Sequence, residues 1–133
     1  GEGATKFVTI HVSGAESWAS AKQVAKTIAT STLVKTAVYG QDANWGRVIC
    51  AAGYSGVPIV PELLCLSMSG DTDSLMLVRK GAPHEIDEER ASAILAGDEI
   101  TFALDLGMGQ AEATVWTCDL SHKYVDINAH YRT

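Results

Sequence analysis

Residues 7–12, FVTIHV, alternate Phe7, Thr9 and His11 with Val8, Ile10 and Val12. A repeat of two with one wholly apolar set predicts a half-buried strand, which Gly14 should break. The pattern then lengthens. Trp18, Ala21, Val24, Ala25 and Ile28 recur at helical spacing, with Lys22, Gln23 and Lys26 on the other side. This predicts an amphipathic helix from about residue 16 to 31, capped by Ser17 or Ser13. A short apolar run, Leu33-Val34 with Ala37-Val38-Tyr39, leads into a polar knot of Gly40, Gln41, Asp42, Asn44, Gly46 and Arg47. Asn44 or Asp42 is placed to cap a second helix, WGRVICAAGY, that Gly53 would end.

Beyond it, Pro58 and Pro61 hold VPIVPE extended or in a loop. LLCLSMSG and SLMLVRKG flank the turn residues Gly70–Asp73 and read as a strand pair. Asp87, Glu88 and Glu89 put acids at the start of a helix through ASAIL, stopped by Gly97. In the last third Ile100, Phe102, Leu104 and Leu106 share one face, Gly107–Gln110 turn the chain, and Ala111, Ala113 and Val115 return. That pattern predicts a β-hairpin. The order β-α-(α)-β-β-α-β-β, without repeats, linkers or low-complexity tracts, points to a single α/β domain over residues 1–133. Its layers should hold a mostly antiparallel sheet.

Composition narrows the class. The chain has 133 residues, enough for one domain with a real core, and 47% are hydrophobic. A net charge of −6 with scattered basic residues excludes a nucleic-acid backbone or an anionic membrane as partner. No apolar run approaches the ~20 residues of a membrane span. Cys50, Cys65 and Cys118 match no zinc or redox spacing, and Cys50 and Cys118 sit in apolar runs as expected of small core residues in a reducing compartment. There is no signal peptide or initiating Met, so the expectation is a processed or excised piece of a longer polypeptide.

Spacing alone yields no catalyst. His11, His84, His122 and His130 form no metal motif, and His11 is expected to be packed or at a strand edge. GMGQ is a turn, since a dinucleotide fingerprint needs a helix after it. Asp42, Asn44 and Arg47 have two readings. They form a polar site, or they shape a helix start over a buried Trp45, which accounts for all but Arg47. The second is favoured.

Three stretches carry a resemblance: GEGATK (1–6), LVKTAVYGQDANWGRVICAAGYS (33–55) and CDLSHKYVDINAHYRT (118–133). In this order they resemble the ornithine acetyltransferase, or glutamate N-acetyltransferase, family of the cyclic arginine pathway, over the C-terminal part of those enzymes. The resemblance implies a fold shared with the aminopeptidase DmpA, with packed helices on a mostly antiparallel sheet. It implies a precursor that cuts itself before a threonine, which then carries acetyl from N2-acetylornithine to glutamate; some members also accept acetyl-CoA. Matched residue by residue, Glu2, Asn128 and Thr133 correspond to substrate contacts. None of Thr5, Thr9 or Thr36 lies in the family's cleavage context, so no catalytic residue is expected in this chain.

The chain should therefore supply substrate-binding walls and scaffold beside an α chain and the N-terminal part of the β chain, in a heterotetramer or larger oligomer. No cofactor and no metal are implied. The compartment would be the mitochondrial matrix in a fungus and the cytoplasm in a bacterium. Two alternatives differ in class: an amino-acid-binding domain without activity, and a peptidase of the same nucleophile type. Retention of Glu2, Asn128 and Thr133 together favours the transferase. Finally, Tyr124, Val125, Ile127 and Tyr131 give the last segment enough apolar surface to dock.

Overall fold

The computed structural model describes residues 4–85 and 87–120. The segments holding Glu2, Asn128, Thr133, His122, His130 and the docking residues of the tail lie outside the described residues. Within them the strands are β1 (Phe7–Ala15), β2 (Cys65–Ser69), β3 (Ser74–Arg79), the short β4 (Ala82–Pro83), β5 (Glu99–Asp105) and β6 (Ala111–Cys118), with burial alternating most clearly along β1, β2 and β5. They form one sheet in the order β4-β3-β2-β5-β1-β6. Only β1 and β5 run parallel; the other pairings are antiparallel, as the sequence implies.

Four helices complete the described fold: α1 (Trp18–Ala29), α2 (Thr32–Tyr39), α3 (Trp45–Gly53) and α4 (Glu88–Leu95). The side chains of Ser17, Ser31, Asn44 and Asp87 accept from the first-turn amides of α1, α2, α3 and α4 in turn. Each occupies an otherwise orphaned backbone donor. α2 is absent from the sequence reading. Thr32, Val34, Thr36 and Val38 are β-branched and disguise its helical spacing, yet Val34, Ala37 and Val38 are buried on one side. Tertiary packing outweighs their weak propensity.

Val8, Ile10 and Val12 join Leu66, Met68, Ile100, Phe102 and Leu104 in one core with Val24, Ile28, Val34, Val48 and Leu95 from the four helices. The other side of β1 and β5, carrying Thr9, His11, Thr101 and Ala103, is half-buried.

The expected hairpin is not a paired one. β1 lies between its two arms, with Ile10 opposite Phe102 on β5 and opposite Val115 on β6. Alternation fixes which side chains face the core but not which strand is the neighbour. The turn passes across the end of β1: Met108 donates its N–H to the Gly14 carbonyl at 2.7 Å, and a Cβ at Gly109 would stand 2.3 Å from the Ala15 carbonyl oxygen. Gly14 itself does not end β1. It sits at φ +67 where the register with β6 shifts between Val12 and Ala15, so it permits a bulge inside the strand.

Three further expectations give way. Trp18 is 60% exposed. Helical side chains lean toward the N-terminus, so a first-position ring projects off the packed face, and Lys22 covers it with Nζ 4.9 Å from the ring centre. Cys50 is exposed, and Cys65 and Cys118 are half-buried. On α3 the turn that buries Val48, Ala51 and Ala52 points residue 50 outward. Trp45 is 37% exposed at the first position of α3, so it is no buried staple. No helix of the described residues is long and apolar enough to cross a membrane.

Candidate functional site

The polar knot spends its hydrogen bonds on the joint between α2 and α3. The amide of Gly40 bonds to the Thr36 carbonyl at 3.0 Å and that of Asp42 to Ala37 at 2.9 Å, with Gln41 at φ +55 making the bend. Asn44 Oδ1 accepts from the Arg47 amide at 3.2 Å, and its Nδ2 lies 3.4 Å from Asp42 Oδ2. Arg47, the residue left over by the structural reading, reaches back with Nη1 to the Leu33 carbonyl at 3.0 Å. The guanidinium thereby ties α3 to α2. Above the knot a cavity of about 400 Å³ opens between Asp42 and Trp45 on one side and Leu77, Glu85 and Glu88 on the other. Its acids are partly committed to the fold. Glu85 Oε1 accepts from the Met76 amide at 3.0 Å, and Asp87 caps α4 through the Arg90 amide at 3.0 Å.

A second polar centre joins residues from opposite ends of the described chain. Asp119 follows β6 and is 0% exposed. Its Oδ1 accepts the backbone amides of Thr5 at 2.7 Å and Lys6 at 2.9 Å, and its Oδ2 accepts the Thr5 hydroxyl. A buried carboxylate is tolerable only when such bonds replace its water, and these three do. The neighbours are held too. Lys6 Nζ donates to the carbonyls of Ala96 at 3.1 Å and Gly97 at 2.7 Å, at the end of α4 where a cation is favoured. The Leu120 amide donates to the Lys35 carbonyl of α2 at 3.2 Å. Beside this junction lies an open groove of about 620 Å³, bounded by Thr5–Phe7, Asp98, Glu99 and Trp116–Cys118.

The candidate contacts Glu2, Asn128 and Thr133 are outside the described residues. What the structure joins is the chain next to them: Glu2 is three positions before Thr5, and Asn128 is nine after Asp119. Asp119 escaped the sequence reading although it stands in a quoted motif. The available signal was an isolated acid between Cys118 and Leu120 at the end of a strand. His11 is a packed strand residue as expected, its Nδ1 2.9 Å from Thr114 Oγ1. Among the described residues no group of three or more His, Cys, Asp or Glu could hold a metal.

Comparison with known proteins is uniform. The ArgJ family model matches residues 1–133. The chain is 55% identical, over its whole length, to the mitochondrial arginine biosynthesis bifunctional protein ArgJ of Schizosaccharomyces japonicus and 53% identical to that of Schizosaccharomyces pombe. It spans 31% and 30% of those two proteins. The crystal structure of the arginine biosynthesis bifunctional protein ArgJ from Bacillus halodurans superposes with a TM-score of 0.90 at 41% identity, over 98% of this chain and 60% of that one.

Proposed function

The chain belongs to the ArgJ family, and on that premise we propose that it forms part of an acetyltransferase that moves acetyl from N2-acetylornithine to glutamate. The observation that carries this reading is the match from end to end. The transfer runs through an acetyl-threonine formed outside these 133 residues. The departing ornithine takes the proton that the threonine hydroxyl gives up; the glutamate amine then attacks the ester, the acetyl C–O bond breaks, and the amine's proton restores the threonine hydroxyl. This chain contributes binding. Glu2 pairs with an ammonium group of the substrate, and a charge-assisted bond of that kind also orients it. Asn128 donates and accepts at once, and Thr133 offers a hydroxyl.

The junction at Asp119 supports this assignment. It brings the last two residues of GEGATK, Thr5 and Lys6, against the residue that leads into LSHKYVDINAHYRT. The remaining two thirds of a relative's length would supply the nucleophile, as an α chain and the N-terminal part of a β chain in a heterotetramer or larger oligomer. The two fission-yeast relatives are named mitochondrial, which supports the matrix for a fungal source; a bacterial source would place the enzyme in the cytoplasm. The test is transfer of labelled acetyl from N2-acetylornithine to glutamate by the full-length protein. Glu2→Gln should lower kcat/KM by roughly ten- to a hundredfold, the loss of one charged hydrogen bond of about 1.5–3 kcal/mol. Release of the label as acetate would assign a hydrolase instead. Binding without turnover would assign an amino-acid-binding domain.

A further inference from the structure

We infer that Asp119 is a positioning residue for substrate binding, acting through the backbone of Thr5 and Lys6 on the placement of Glu2. The inference rests on the reading of Glu2 as a substrate contact. Glu2 stands three positions before Thr5. A carboxylate that must meet an ammonium within hydrogen-bond reach needs a fixed point close behind it. The structure has one. A single oxygen, Asp119 Oδ1, accepts two consecutive amides, those of Thr5 and Lys6, at 2.7 and 2.9 Å. Two bonds from neighbouring peptide units to one atom hold the intervening dihedrals as well as the position.

The other oxygen takes the Thr5 hydroxyl, so the carboxylate cannot turn away. Lys6 is held independently through Nζ at the end of α4, a second anchor for the segment that enters β1. The buried apolar residues of the described core begin at Val8, beyond the segment that these bonds hold. A fully buried charge is a poor device for stability alone, because apolar replacements serve as well or better. Its advantage is geometric: the anion accepts several donors at fixed angles.

The test is a double-mutant cycle in the full-length protein, measured as acetyl transfer with N2-acetylornithine varied. Asp119→Ala should raise KM about tenfold and change kcat less than about threefold, the split expected when ground-state binding is loosened. In a Glu2→Gln background the same change should cost no more than about twofold, because the group it positions is already disabled. Asp119→Asn should restore most of the KM, since its oxygen still accepts both amides and its NH2 can donate to the Thr5 hydroxyl. Should Asp119→Ala fail to fold, Thr5→Val, which removes only the hydroxyl bond, runs the same cycle with an expected rise of about two- to fourfold in KM. Multiplicative losses, with Glu2→Gln itself defective, would overturn the positioning role and leave the function standing. Wild-type kinetics in Glu2→Gln would overturn the Glu2 assignment and this inference with it.

Discussion

The knot at Gly40–Arg47 and the junction at Asp119 both gather polar side chains beside a cavity, and their hydrogen bonds differ in reach. In the knot, Asn44 bonds to Arg47 and to Asp42, and the longest connection, Arg47 to Leu33, spans 14 residues. At the junction one carboxylate reaches residues 113 and 114 positions away, with no exposed surface. Short-range bonds shape a bend, and the same residues would make them in many folds. A buried charge bonded across the whole chain is costly to desolvate and is kept where geometry matters. Density of polar residues is thus a weaker guide to a site than the separation and burial of the partners.

This contrast breaks most readily on the junction side. Asn128→Ala should cut acetyl transfer by the full-length protein at least about tenfold, since it removes both donor and acceptor from a charged substrate. The melting temperature should move by only a few degrees. A fall in stability that accounts for the whole loss of activity would make Asn128 a packing residue and weaken the junction as the substrate side of the domain.

On the knot side the effect should be smaller and of a different kind. Asn44→Ala removes the cap of α3 and should cost about 1 kcal/mol, read from denaturant or thermal unfolding. KM and kcat should stay within about twofold of wild type. A raised KM at unchanged stability would move the knot, with Trp45 and its 400 Å³ cavity, into the substrate site.

How far the sequence discloses these two regions follows from what each depends on. Caps are local, so Ser17, Asn44 and Asp87 are legible from the residues that follow them. Period-2 alternation is local as well, so the buried sets of β1 and β5 are read correctly, and β2 and β3 are recognised as a strand pair. Strand neighbours are not local. Ile100–Leu106 and Ala111–Val115 look like one hairpin because nothing in their own pattern announces that β1 will pass between them. α2 hides because its β-branched residues are helical only through their burial against α1 and α3. Asp119 is the extreme case, since its partners lie at the other end of the described chain. The contacts Glu2, Asn128 and Thr133 come from resemblance alone.

The smallest effect belongs to a third carboxylate, which serves as the control for charge. Asp73, in the turn between β2 and β3, receives Arg90 of α4 through Nη2 at 2.7 Å and Nε at 2.9 Å. The guanidinium, helped by the Ser74 amide, lowers its pKa from the ordinary 3.8 to about 2, and Asp73 in turn raises that of Arg90. Because the folded form holds the lower pKa, the pair stabilises the protein above about pH 4, and that contribution is lost as the pH falls through about 2. Asp73→Asn should therefore lower the melting temperature slightly at pH 7, and the gap to wild type should close by about pH 2. Both groups are well exposed to solvent, so the gap should also shrink in high salt. KM should not change. A kinetic effect from so exposed and local a pair would show that burial and chain separation do not mark the functional side of this domain.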